Sequence, residues 1–227
     1  MHDLVPYIVL FFSALGIAYS GAMMPGPMLT VVVTETPRQG AKAGPLVVLG
    51  HAILELVLLV GLVIGLGPLL EDETVQAVLQ IAGGCMLVAT GVSIVVAVAR
   101  HTVSIDWEGS ESGGRGRAVL MGIVSSLSNP YWTIWWATIG LGLLTKAYAM
   151  GVAGLVVFYV GHIMGDLTWY SLISGALAAG KRFITLGVYR VMLLVASVFL
   201  FFLAAWFLVS GIGAAKTFCI FTTVAFQ

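Results

Sequence analysis

Apolar side chains fill long stretches of this chain without the polar intervals of a soluble helix, and short segments between them carry most of the charge. About twenty apolar residues cross roughly 30 Å of hydrocarbon, and six such stretches can be marked. They run from Leu4 to Val33, Pro45 to Gly67, Val75 to Ala99, Ala118 to Leu144, about Val152 to Leu177, and Val191 to Gly211. The stretch from Thr217 to Phe226 is too short to cross and is expected at the membrane interface. Two spans are interrupted, the first at Pro25-Gly26-Pro27 and the fourth at Asn129-Pro130. Proline lacks an N–H and is favoured at the first position of a helix, so each interruption ends one half-helix and opens another.

Composition narrows the class. The chain is 60% hydrophobic and only 9% charged, which excludes an ordinary soluble domain and makes this an all-α integral membrane protein. Ten basic residues balance ten acidic ones with no basic run, so nucleic acid is not expected as a partner. Cys85 and Cys219 stand far apart without a C-x-x-C, which supports neither a thiol relay nor a zinc site, and no cofactor is implied. Met1-His2-Asp3 offers no basic leader, so the first span is expected to stay as an anchor.

Charge also supplies an orientation. Arg38 and Lys42 follow span one, Arg100, Arg115 and Arg117 follow span three, and Lys181, Arg182 and Arg190 follow span five. These loops share one side, opposite Lys146 and Lys216, and basic loops stay in the cytoplasm, so both termini are expected outside. Glu71-Asp72-Glu73 falls outside as well. The Gly/Ser-rich run Gly109 to Gly114 lies in a linker that divides the chain into 1–99, 100–117 and 118–211, with a tail at 212–227.

The two three-span parts match in order. Span two contains Gly50-His51-Ala52-Ile53-Leu54-Glu55 and span five contains Gly161-His162-Ile163-Met164-Gly165-Asp166, both of the form Gly-His-x-x-x-carboxylate. Pro27-Met28-Leu29-Thr30 likewise faces Pro130-Tyr131-Trp132-Thr133. An odd number of spans in each half makes the repeat inverted, and inverted repeats with broken helices point to carriers that alternate access around a midplane site. Gly26-Pro27 and Asn129-Pro130 are therefore candidate helix starts whose unpaired N–H groups suit an anionic group.

Among the acidic residues the span boundaries place Glu55 and Asp166 deep in the membrane, with His51 and His162 four residues before them on the same helical face. Each pair can share a proton or hold a cation. A charged group at the bilayer centre costs about 3 kcal/mol on insertion scales, so matched buried carboxylates read as function. Trp169, near Asp166, could present a ring face to an ammonium. Trp132, Trp135 and Trp136 read more simply as an interfacial aromatic belt, and Gly61-x-x-x-Gly65 and Gly161-x-x-x-Gly165 as close helix contacts.

Pro25-Gly26-Pro27, the basic glycine loop from Arg38 to Gly44, Glu55 in span two and Asn129-Pro130 in span four resemble the LysE/RhtB family of amino acid exporters, in order over most of the chain. Members often carry Asn after Pro-Gly-Pro and Lys after Asn-Pro, where Met28 and Tyr131 stand here. The resemblance implies a prokaryotic carrier of the cytoplasmic membrane that exports amino acids or their derivatives against a proton or ion gradient. Its wider superfamily includes carriers of divalent cations.

The expected activity is export of a small zwitterion by alternating access. Gly26, Pro27, Asn129, Pro130, Glu55, Asp166 and Trp169 would bind the substrate, and His51, Glu55, His162 and Asp166 would carry the coupling proton. Its partners are that substrate, protons or another coupling ion, and membrane lipid, with a homo-oligomer left open. The alternative is a divalent metal carrier that uses the same two histidines and two carboxylates as ligands. An enzyme is not expected, since neither H-E-x-x-H nor G-x-S-x-G occurs.

Overall fold

The computed structural model describes residues 4–66, 72–103, 105 and 114–225, and these are helical with short connections and no strand. Glu71 and linker residues Gly109 to Gly113 lie outside the described residues. Nine α-helices are described among them: α1 (Val5–Ala22), α2 (Pro27–Gln39), α3 (Ala43–Gly61), α4 (Glu73–Ala99), α5 (Gly114–Leu127), α6 (Pro130–Trp135), α7 (Leu141–Ala149), α8 (Gly151–Ala179) and α9 (Leu186–Ala225). A 3₁₀ turn at Gly40–Lys42 joins α2 to α3, and π-helical turns occupy Leu62–Leu66 and Trp136–Gly140.

Among the described residues, five stretches are long and apolar enough to cross a membrane: Val5–Ala22, Pro27–Gly65, Glu73–Ala99, Gly151–Ala179 and Leu186–Gly213. Large apolar side chains stand bare on their outer faces, among them Phe12, Val57, Phe202 and Trp206, as lipid allows and water would not. The expected fourth span is divided among α5, α6, a π turn and α7. The first break falls where the prolines placed it, yet α2 continues past Val33 to Gln39, carrying Thr34, Glu35 and Thr36 in helix. Helix α9 runs on past Gly211 to Ala225.

Both breaks resolve their backbone accounts locally. Residues 23–26 are not helical, and Gly26 precedes α2 in an extended conformation. The Gly21 carbonyl, which Pro25 cannot serve, accepts from Met24 N at 3.2 Å. At the second break the Ser126 carbonyl accepts from Asn129 N at 3.1 Å, while Asn129 Oδ1 caps the new helix by accepting from Tyr131 N at 3.2 Å.

Directions follow from what touches what. Helix α8 runs alongside α1 in the same sense: a Cβ on Gly161 would lie 2.7 Å from Phe11 O, one on Gly165 2.6 Å from Ala18 Cβ, and Tyr19 Oη meets Thr168 Oγ1 at 2.6 Å. Likewise α3 lies parallel to α5, so close that a side chain at Gly50 would strike the Val119 carbonyl and one at Gly122 the Val47 carbonyl. Helices α3 and α8 are antiparallel: Tyr159 Oη donates to Ala52 O at 2.7 Å near one end, and Ser174 Oγ to Ala41 O at 2.9 Å near the other. Helices α4 and α9 form a second antiparallel pair, with Gly84 against Leu208 and Gly91 against Phe201. Gly161 and Gly165 thus make the close contacts their spacing predicted. Gly65 does not; it has open space around it and takes φ +115° in the π turn after α3.

Candidate functional site

The parallel and antiparallel contacts of α3 bring the two Gly-His-x-x-x-carboxylate motifs together from opposite parts of the chain. One ligand atom from each of His51, Glu55, His162 and Asp166 lies within 4.8 Å of the others, and all four residues are buried. His162 Nε2 is 3.1 Å from Glu55 Oε2, and His51 Nε2 is 3.2 Å from Glu55 Oε1 and 3.4 Å from Asp166 Oδ2. Gly50 seats α3 against α5 and Gly161 seats α8 against α1, and the antiparallel packing of α3 on α8 sets the two motifs face to face.

Hydrogen-bond accounting locates a proton. Ser126 Oγ donates to Gly122 O at 2.8 Å, so His51 Nδ1, 2.7 Å away, is the donor to that hydroxyl. The opposite nitrogen, Nε2, faces two carboxylates. One proton must lie between them, on the ring or on a carboxylate, for the triad to attract.

Two residues read from sequence as an aromatic belt belong to this cluster instead. Trp132 Nε1 donates to Glu55 Oε1 at 2.8 Å and Trp136 Nε1 to the same oxygen at 2.9 Å. Trp136 is fully buried, and Trp135 packs its ring 4.7 Å from His162. A belt residue would sit at the lipid headgroups; Trp132 and Trp136 turn inward because a carboxylate without partners in an apolar interior is costly. The π turn from Trp136 begins here, and Gly140 makes room for the Trp136 ring, since a Cβ there would lie 2.7 Å from Cε3.

The cluster borders a cavity of about 60 Å³. Both helix breaks reach it: Pro25 and Gly26 line it from the first, Asn129 from the second, with Tyr131, Trp132 and Tyr170 adding aromatic wall. Of the predicted binding residues, Gly26, Asn129, Glu55 and Asp166 meet here together with His51 and His162. Pro27 and Pro130 open the adjoining helices, and Pro27 is not among the described lining residues. Trp169 does not join them; it packs against the apolar cluster around Val32, Val47 and Ala118. Tyr170, one position on, lines the cavity in its place. A separate apolar groove of about 750 Å³, between α2, α8 and α9, shares Pro25 and Gly26 and has no charged lining residue.

The span boundaries also left out a third buried carboxylate. Glu35 on α2 is 2% exposed, and its Oε1 lies 3.4 Å from Arg117 Nε and 3.8 Å from Arg38 Nη1.

The two His-carboxylate motifs could supply four ligand atoms to a divalent cation, but Glu55 Oε1 is already engaged by two indole N–H groups. An all-helical bundle with a bare apolar exterior and an enclosed polar centre defines a multi-pass membrane protein. A model of the LysE type translocator family matches residues 19–211, and the chain belongs to that family. Members are transporters and not enzymes. No curated protein and no solved structure matches the chain.

Proposed function

We propose that the chain is a secondary transporter that exports an amino acid or related small zwitterion across the cytoplasmic membrane by alternating access. One observation carries the reading: Glu55 and Asp166, at matching places of two similar sequence motifs, meet with both histidines between two helix breaks. The helix start at Gly26 offers N–H groups to a carboxylate, while the two acidic side chains attract an ammonium. The proton shared between His51 and the two carboxylates makes a proton the coupling ion of choice, released when a water path reaches them.

A 3+3 inverted repeat accounts for the packing. In it α1–α2 corresponds to α5–α7, α3 to α8 and α4 to α9. Each pairing then recurs: α3 lies parallel to α5 as α8 does to α1, while α3–α8 and α4–α9 are antiparallel pairs across the pseudo-twofold. Interrupted α5–α7 serves as the sixth span. Basic residues gather where α2 and α8 end and α3 and α5 begin, so the positive-inside rule makes that end cytoplasmic and puts both termini outside.

Counterflow in proteoliposomes with a panel of labelled amino acids tests the assignment. Saturable exchange of at least one zwitterion, driven further by a pH gradient, is expected; a panel in which nothing exchanges rejects it. Calorimetry with zinc, manganese and cadmium separates the metal alternative, for which micromolar binding lost in His51→Ala would speak. The cation reading has less support, given the family and the indole donors on Glu55.

A further inference from the structure

We propose that Glu35 and Arg117 form a latch that closes the cavity toward the basic end of the molecule by pinning α2 to α5. The proposal rests on the alternating-access reading, and it concerns side chains that the carboxylate-histidine cluster does not use.

Helices α2, α3, α5 and α8 converge at that end, with the end of α4 and the start of α9 packed beside α2. Helix α2 leaves the cavity at Gly26 and reaches Glu35 nine residues later, about 13 Å by helical rise. Helix α5 approaches from Arg117 and reaches the cavity at Ser126. Between the latch and the cavity lie Val32, Val47, Val48 and Ala118, each at most 1% exposed, so no water path passes here while α2 and α5 touch. Two side-chain contacts fasten the helices: Arg117 Nε to Glu35 Oε1, and Gln39 Nε2 donating to Gly114 O at 3.3 Å.

The ion pair is built to hold loosely. Charge-assisted hydrogen bonds settle at about 2.7–2.9 Å, whereas Arg117 and Arg38 stand 3.4 and 3.8 Å from the same carboxylate oxygen. The other oxygen, Oε2, is buried without a hydrogen-bond partner. A buried carboxylate of this kind is poorly explained as a stabilising element, because a half-paired charge costs more than an apolar side chain of the same size. Both arginine side chains are about two-fifths exposed (41% and 43%), so opening the junction lets water reach Glu35 without stranding either cation. The non-helical residues 23–26 supply the hinge about which α2 can swing.

Cysteine accessibility tests the latch without any cargo. With Cys85 and Cys219 replaced by Ser, Val32→Cys on α2 reports the seal, and Leu200→Cys, buried between α4 and α9, reports general loosening. An impermeant maleimide is applied from the face that carries Arg117. Val32→Cys should label slowly in the parent, at least about fivefold faster with Glu35→Gln or Arg117→Gln, and near the parent rate with Arg117→Lys. Leu200→Cys should stay protected throughout. Equal rates at Val32→Cys, label entering from the opposite face alone, or Leu200→Cys rising in parallel would each overturn the latch. A chain that moves no amino acid can still pass this test, and a working transporter can fail it, so the two readings are separately decided.

Discussion

At the residue scale, Glu55 is the most heavily engaged side chain of the cluster, meeting two indoles and both histidines while 1% exposed. A hydrogen bond to a charged acceptor is worth about 1.5–3 kcal/mol, so Trp136→Phe or Trp132→Phe should slow counterflow by roughly ten- to a hundredfold. Both indoles serve one oxygen, so the double variant should lose less than the product of the single losses. Initial rates in proteoliposomes check both statements. The carboxylates and histidines were legible because a spacing of four on one helix is a local signal. The indoles were not: Trp132 and Trp136 reach a carboxylate 77 and 81 positions away, and helical periodicity cannot say which face meets which distant partner. Tyr170 rather than Trp169 faces the cavity for a simpler reason. It stands a full four residues after Asp166, nearer to the same helical face than its neighbour. Glu35 escaped notice because Thr34-Glu35-Thr36-Pro37-Arg38 looks like a loop until Arg117, from α5, is known to lie beside it.

At the element scale, glycine contacts set how closely α3 approaches α5 and α8 approaches α1. Gly122→Ala forces a methyl group onto the Val47 carbonyl and should cost about 1–3 kcal/mol, read as a lowered unfolding midpoint in detergent. Gly16→Ala, with nothing within 4 Å, should not lower it. The cap at the second break is separable from packing: Asn129→Ala removes the acceptor for Tyr131 N and should cost about 0.5–2 kcal/mol, while Asn129→Asp or Asn129→Ser retains most of it. Proline marked both breaks correctly in the sequence, because a missing N–H acts wherever it falls. Helix ends were less legible. Hydropathy stops at Val33, but α2 continues because its last turns are buried by packing against α5 and α8.

At the scale of the whole molecule, the internal resemblance of the two parts of the sequence becomes a recurrence of packing: each motif helix leans on a broken helix from the other part. Such an arrangement joins the halves at the polar centre, and the proposed latch would act at the basic end of α2 and α5. The same topology predicts that tags at the two ends are reached by an impermeant reagent from outside intact cells, and that one placed near Arg182 is not. The central claim is that Glu55 and Asp166 together handle the cargo. The direct measurement is counterflow of an exchanged amino acid in matched proteoliposomes of the parent chain, Glu55→Gln, Asp166→Asn and the double variant, each shown folded by its unfolding midpoint. Loss of exchange in the double variant to the level of empty vesicles is the predicted result; exchange at the parent rate with both carboxylates neutralised would contradict the account.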